Sequence, residues 1–279
     1  RRLSSAASDV YKRQIIGCGF SGMLCANFLR ASGITNFCVL EMSPGLGGVW
    51  SHGGVGGYPG AACDVPSYTY LPFLDQTGFI PSKKYVNQSE IADYANLLAD
   101  HCEIREHIRF SSKVLSVDYL DTATWQLDIW DTDKDCPVEP ITAAHIVCAN
   151  GPLSSPRMPE IPGVESFAGE SFHTAKWDYA VDLKGKHVGV IGTGASAAQV
   201  ITTIADDVAE LTVFQRTPTW AMPRDDEPTP PEIKDAFKAG GYSEKLRHVD
   251  WKGELPPDPD VLFTFAMLHD EKQNAAICE

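Results

Sequence analysis

The 279-residue sequence predicts an α/β protein with two Rossmann-like dinucleotide-binding domains. Three observations carry that expectation. Gly17-x-Gly19-x-x-Gly22 opens an amphipathic helical pattern after a short apolar pair. Gly192-x-Gly194-x-x-Ala197 does the same after HVGVI. Each helical pattern leads to an apolar run with a charged residue 24 positions after the first glycine, Glu41 in one case and Arg216 in the other. Glycines at this spacing permit a tight turn and close backbone approach to a pyrophosphate, and the helix N-terminus adds N–H groups and a favourable dipole.

The first unit begins on a weak strand. Only Ile15 and Ile16 are apolar, and Lys12, Arg13 and Gln14 precede them. A buried parallel strand normally reads as a near-continuous apolar run. SSAASDVYKRQ (Ser4–Gln14) matches the in-frame translation of a transposon-type sequencing-library adapter. Residues 1–14 are therefore expected to be a non-native extension. Val10 and Tyr11, both good strand formers, are candidates for recruitment into the strand.

After the first glycine turn, Phe20, Leu24 and Phe28 recur at helical spacing, with Cys25 and Leu29 alongside. Ser32-Gly33 stops the helix and NFCVLE (36–41) reads as the next strand. A Gly/Pro-rich loop covers 44–60, and a helix is expected over 88–101. Strands are expected near 113–120 and 124–131, the second alternating Trp125, Leu127 and Ile129. AAHIVCANG (143–151) reads as a buried strand ending at a turn, and LSSPRMPEIPG (153–163) as a connection between domains. In the second unit HVGVI (187–191) is a strand, Ala198, Ile201, Ile204 and Ala205 form the expected helix face, and LTVFQR (211–216) is the following strand. The tail beyond Pro218 is acidic and Pro-rich, with helical patches and no clear closing strand.

Composition excludes several classes. A net charge of -14 argues against a nucleic-acid surface or an anionic membrane. No apolar run approaches the roughly 20 residues that span a bilayer. The cysteines at 18, 25, 38, 63, 102, 136, 148 and 278 include no C-x-x-C pair. That scatter points to reduced thiols in the cytoplasm rather than a disulfide framework or a zinc site. The histidines show no ligand spacing, so no metal is expected.

The two strand ends select different ligands. A carboxylate at Glu41 can bond ribose hydroxyls and repel a 2′-phosphate, whereas Arg216 can clamp that phosphate. The first unit should take an unphosphorylated adenine dinucleotide, and the second should prefer NADPH over NADH. Two such units suggest hydride transfer from NADPH to a bound flavin. A disulfide reductase would need a redox cysteine pair, which the sequence lacks, and flavin plus oxygen is the chemistry left.

FAGESFHTAKWD (167–178) carries Phe167, Gly169, His173, Trp177 and Asp178 at the spacing F-x-G-x-x-x-H-x-x-x-W-D. It resembles the signature of Baeyer–Villiger monooxygenases. GGVW (47–50), YPGAACDVPSYTY (58–70), CANGPLSSPRMPEIPG with Asn150 where that family has threonine, and FQRT (214–217) extend the resemblance over about residues 15–220. SHGGVGG stands between Trp50 and Tyr58, seven residues where the family has four, a departure that would reshape the loop over the flavin.

The resemblance implies FAD and NADPH as cofactors, and insertion of one oxygen atom of O2 into a small-molecule ketone through a C4a-peroxyflavin, giving an ester or lactone. It implies FAD contacts from Gly17, Gly19, Phe20, Ser21, Gly22, Glu41, Gly48, Val49, Trp50, Asp64, Tyr70, Val114 and Ala149. It implies NADP contacts from Ala62, Cys63, Gly192, Thr193, Gly194, Ala195, Ser196, Ala197, Gln199, Arg216 and Thr217. Asp64 would orient a catalytic arginine that this chain does not contain. His173 and Trp177 would couple the nicotinamide domain to the flavin. Residues 15–158 would form the first part of the FAD domain, and 159–279 the linker signature and NADP domain. Both domains are expected to be incomplete at the C-terminal end, and the chain by itself inactive. The alternatives are a flavin-dependent N- or S-oxygenase and a non-catalytic fragment.

Overall fold

The computed structural model describes residues 13–51, 57–218 and 226–240. Residues 1–12, with Val10 and Tyr11, most of the 51–57 loop and most of the tail beyond Pro218 lie outside the described residues. The chain divides into two compact units, one from Arg1–Ala61 and Ile91–Trp220, the other from Ala62–Glu90 and Ala221–Glu279.

In the first unit, β1 (Arg13–Ile16), α1 (Phe20–Ala31) and β2 (Phe37–Leu40) form the expected β-α-β element. β1 pairs in parallel with β2 and also with β7 (His145–Cys148), while β2 pairs with β3 (Ile108–Arg109), giving the order β3-β2-β1-β7. Every residue of β2, FCVL, is buried, as a central parallel strand requires. Met23 and Ala26 of α1 and Ile15 of β1 are fully buried. Helix α1 stops at Ser32, whose N–H reaches the Phe28 and Leu29 carbonyls.

Arg13 and Gln14 belong to β1. Gln14 sits between apolar strands on both sides, fully buried, and among the described residues neither its Nε2 nor its Oε1 has a hydrogen-bond partner.

A three-stranded antiparallel sheet of β4 (Ser112–Tyr119), β5 (Trp125–Asp131) and β6 (Cys136–Ala143) packs on the parallel sheet. Leu127 and Ile129 join Cys38, Leu40 and Ala143 in one cluster, and Trp125 lies at its edge beside Tyr119. The sequence reading missed β6 because Pro137, Glu139 and Pro140 interrupt it. As the outer strand of this sheet it tolerates proline, which a central strand does not.

Helix α4 (Gln88–His101) lies on the expected residues. Ile91, Tyr94, Ala95 and Leu98 form its buried stripe. Each fully buried large apolar side chain of this kind contributes about 1.5–3 kcal/mol.

The second glycine element is β8 (His187–Ile191), α5 (Ala195–Ile204) and β9 (Glu210–Phe214), with β8 and β9 parallel. The buried face of α5 is Ala197, Val200 and Ile204, while Ala198 and Ala205 are exposed. Alanine is common in this helix, so apolar spacing alone allows more than one stripe. The larger Val200 decides which one packs.

The other compact unit holds α2 (Ser67–Tyr70), α3 (Leu74–Thr77) and α6 (Pro231–Ala239), and Tyr68 ties α2 to α6: its hydroxyl donates to Thr229 Oγ1 at 3.0 Å and its ring lies 6.2 Å from Phe237. Lys83 pairs with Asp226 at 2.6 Å. Proline suits the first turn of α6 because its missing N–H would be unpaired there.

Candidate functional site

The first glycine turn is closed on itself by backbone. The Gly17 N–H donates to the Leu40 carbonyl at 2.8 Å, and Ala149 N–H donates to the Ile16 carbonyl at 2.8 Å. Gly17 has φ +98°, and a Cβ there would lie 2.6 Å from the Ala149 oxygen. A Cβ on Gly22 would enter the Gly17 carbonyl. Strand, turn and helix approach this closely only without side chains at the two positions.

Glu41 is buried at the end of β2 and its carboxylate is clamped. Oε2 accepts from the Cys18 N–H at 2.7 Å. Oε1 accepts from the Ser43 N–H at 2.8 Å and from Ser43 Oγ at 2.5 Å. A carboxylate offers about four acceptor positions. Three are occupied here, which leaves capacity for one hydroxyl donor.

Around the N-terminus of α1 the backbone of Gly47 and Gly48 closes in. Gly47 N–H donates to the Cys18 carbonyl at 3.2 Å, and a Cβ on Gly48 would stand 3.1 Å from the Gly19 Cα. Gly48, Val49 and Trp50 form a short 3-10 turn, pinned by Ser51 Oγ donating to the Gly48 carbonyl at 2.9 Å. No side chain caps α1 at Gly19, and its first turn carries no acidic residue. The Glu41 carboxylate, held on the Cys18 N–H, is the internal negative group beside this end of the helix. Phe20 packs near Tyr94, with ring centroids 6.3 Å apart, and Ser21 is exposed. Together these features fit a dinucleotide: a glycine cradle, an uncapped helix N-terminus and a positioned carboxylate. Val114 packs against the Leu40, Leu127 and Ile129 cluster in β4.

The second glycine turn follows the same scheme with one difference in register. Gly192 N–H donates to the Phe214 carbonyl at 2.9 Å, as Gly17 does to Leu40. Glu41 stands one residue past its accepting carbonyl, but Arg216 stands two past Phe214. The two charged residues share a sequence spacing and not a structural place; the register equivalent of Glu41 is Gln215. The equal count misleads because the second unit closes from strand to strand one residue sooner. Arg216 and Thr217 are exposed, and Gln215 Nε2 donates to the Thr217 carbonyl at 3.3 Å. Gly192 has φ +105°, and among the described residues nothing lies within 4 Å of a Cβ on Gly192 or Gly194. Helix α5 likewise has no side-chain cap and no acid in its first turn. Thr193, Ala195 and Ser196 line this turn, and Ala197 is buried beneath it.

In the other compact unit Ala62 bridges Asn87, and the buried Cys63 donates its N–H to Val86 at 3.0 Å. Asp64 is exposed, and the half-buried Tyr70 ends α2.

The 167–178 segment is ordered by its own residues. Gly169 makes room for the Phe167 ring, which a Cβ would approach to 2.7 Å. Phe167 is 65% exposed, so it is not a core aromatic. His173 Nδ1 accepts from the Ala175 N–H at 3.0 Å and caps a 3-10 turn. Trp177 stands edge-on to Phe172, with centroids 5.0 Å apart, and 6.5 Å from Tyr179. Asp178 Oδ1 accepts from the Ala180 N–H at 2.9 Å.

Two contacts were not read from the sequence. Ser43 stands two residues past Glu41, where a short hydroxyl side chain commonly bonds its neighbourhood, so a local signal existed. The Tyr58 hydroxyl donates to Gln199 Oε1 at 2.9 Å from 141 residues away, where no local signal exists.

Residues 11–233 match the flavin-binding monooxygenase-like family. The chain belongs to this family. The match begins inside the 1–14 stretch. A Baeyer-Villiger monooxygenase of Streptomyces coelicolor is 39% identical over 242 residues, which cover 84% of this chain and 43% of that protein. The structure of a polycyclic ketone monooxygenase from Thermothelomyces thermophila superposes with a TM-score of 0.77 at 34% identity, covering 85% of this chain and 40% of that one. OTEMO, in a complex with FAD and NADP, superposes with a TM-score of 0.76 at 33% identity, covering 86% and 45%. The chain thus spans less than half the length of these family members.

Proposed function

We propose that the protein is an FAD- and NADPH-dependent monooxygenase of Baeyer–Villiger type, inserting one oxygen atom of O2 into a ketone to give an ester or lactone. The observation that carries this reading is the pair of glycine turns in one chain, one ending on a clamped buried carboxylate and the other on an exposed arginine. The relatives' names and the 167–178 signature support the ketone as substrate.

When bound, FAD supplies the redox centre at which NADPH and O2 react. The chain's own residues bind and orient. Gly17, Gly19 and Gly22 admit the pyrophosphate to the N-terminus of α1, and Glu41 accepts from the adenosine ribose. Phe20, Ser21, Gly48, Val49, Trp50, Tyr70, Val114 and Ala149 complete the proposed FAD set. Gly192 to Ala197 and Gln199 hold the nicotinamide dinucleotide, with Arg216 and Thr217 at its 2′-phosphate and Ala62 and Cys63 beside it. Asp64 orients a guanidinium. His173, through its cap, and Trp177, through its aromatic neighbours, hold the connection between residues 15–158 and the segment 159–279.

The seven described cysteines form no disulfide with one another, in keeping with the proposed reducing, cytoplasmic setting. Among the described residues no helix is long and apolar enough to cross a membrane.

The test is NADPH consumption by the full-length protein with ketones, amines and thioethers in turn, with products identified by mass. Ketones converted to esters or lactones are expected. Oxygenation of amines and thioethers alone would establish an N- or S-oxygenase instead.

A further inference from the structure

The Glu41 carboxylate and its partner Ser43 stand on a backbone that the neighbouring strands pin. The Glu41 N–H donates to the Arg109 carbonyl at 2.9 Å, and the Glu41 carbonyl accepts from the Ser112 N–H at 2.8 Å. The Met42 carbonyl accepts from Thr132 Oγ1 at 2.9 Å, and the Ser43 carbonyl from the Ser111 N–H at 3.2 Å. On that frame the two carboxylate oxygens differ. Oε1 accepts both the N–H and the hydroxyl of Ser43, at 2.8 Å and 2.5 Å, which fills its two lone pairs. Oε2 accepts the Cys18 N–H at 2.7 Å and keeps one lone pair. An adenosine ribose presents two neighbouring hydroxyls, and a carboxylate with both oxygens open can accept one on each. Here Oε1 is closed to the second.

We propose that Ser43 is a positioning residue for the flavin cofactor: by filling Oε1 it limits Glu41 to a single ribose hydroxyl, accepted at Oε2. The other hydroxyl of the pair finds no acceptor on the carboxylate. The inference rests on the proposed FAD site. It adds to that site a residue outside the expected set, and it fixes which side of the carboxylate meets the ligand.

The experiment uses the full-length protein stripped of FAD, as parent, Ser43→Ala and Ser43→Thr. Dissociation constants are read from flavin fluorescence for FAD and for two FAD analogues, one lacking the 2′-hydroxyl and one the 3′-hydroxyl of the adenosine ribose. Loss of a hydrogen bond to a charged acceptor predicts that one analogue binds the parent about 10-fold or more weakly than FAD, while the other binds like FAD. Ser43→Ala frees a lone pair on Oε1, so both analogues bind that variant more weakly than FAD. Ser43→Thr keeps the hydroxyl and keeps the parent pattern. A merely structural role for Ser43 would weaken all three ligands alike in Ser43→Ala and leave their ratios at the parent values. That result, or equal losses for both analogues in the parent, overturns the role of Ser43 and leaves Glu41 at the ribose. A parent that binds FAD and both analogues equally removes Glu41 from the ribose, and this proposal with it.

Discussion

The Cys18 amide donates to Glu41 Oε2 at 2.7 Å, tying the glycine turn to the end of the neighbouring strand. Ser43 holds the other carboxylate oxygen through its N–H and its hydroxyl. Glu41→Gln places an amide NH2 against one of these donors, so one bond is lost and two donors face each other. The expected loss is about 1–3 kcal/mol of stability, and about 1 kcal/mol for Ser43→Ala. Denaturant midpoints at unchanged slope check both, and a retained midpoint in Glu41→Gln refutes the clamp.

The two glycine turns answer alanine differently. A Cβ on Gly22 enters the Gly17 carbonyl, and the backbone that blocks it cannot swing away. Gly22→Ala should cost about 3 kcal/mol or more, the scale of overpacked or strained sites, and lose flavin. Among the described residues nothing lies within 4 Å of a Cβ on Gly194. Gly194→Ala should change stability by less than about 1 kcal/mol and should weaken NADP+ binding. Thermal melts with each nucleotide distinguish packing from ligand approach.

Much of this architecture was legible because its signals are local. FCVL and the VGVI of β8 are written as uninterrupted apolar runs, and Glu41 is marked by its distance from Gly17. Where reading failed, the deciding fact was pairing. Spacing counts residues, so it put Arg216 level with Glu41, and only the ladder between β8 and β9 shows Gln215 there. The β6 strand hides behind its prolines because an edge position forgives them. Tyr58 and Gln199 carry no mark of each other at all.

Arg216, one residue beyond the place of Glu41, is the proposed clamp for a 2′-phosphate. Arg216→Ala should lower the preference for NADPH over NADH by about 10-fold or more, the scale of a lost charge-assisted bond. Gln215→Ala should leave the preference close to the parent value. Equal loss in both variants, measured as the ratio of kcat/KM for the two nucleotides, would return the role to the position that Glu41 marks.

Two buried thiols set an alkaline limit. Burial, reinforced by the Glu41 charge, pushes the Cys18 thiol from 9.0 up to about 12, and burial pushes Cys38 up to about 11. A folded-state pKa above the unfolded one means the native state holds protons that the unfolded state releases. The stability these groups contribute is complete below pH 9 and falls as pH rises through 9 to 12, by up to about 1.4 kcal/mol per unit for each thiol. Unfolding midpoints between pH 8 and 11 should fall accordingly. At pH 8 a thiol reagent should label the exposed Cys148 and spare Cys18 and Cys38.

Gln14 is the residue most at odds with its surroundings. Its neighbours across the ladder are Cys38 on one side and Ile146 on the other, and its side chain is fully buried with both polar atoms unpaired among the described residues. A buried amide without partners costs about 1–3 kcal/mol. An apolar side chain at this place in the strand would avoid that cost. Gln14→Val removes the unpaired groups and suits a central parallel strand, so it should raise stability by about 1–3 kcal/mol, against the usual outcome that core substitutions destabilise. A shift of the denaturant midpoint upward at constant slope is the expected result. A neutral or lower midpoint would mean that the amide is satisfied in solution, and the strand would then carry Gln14 at no cost.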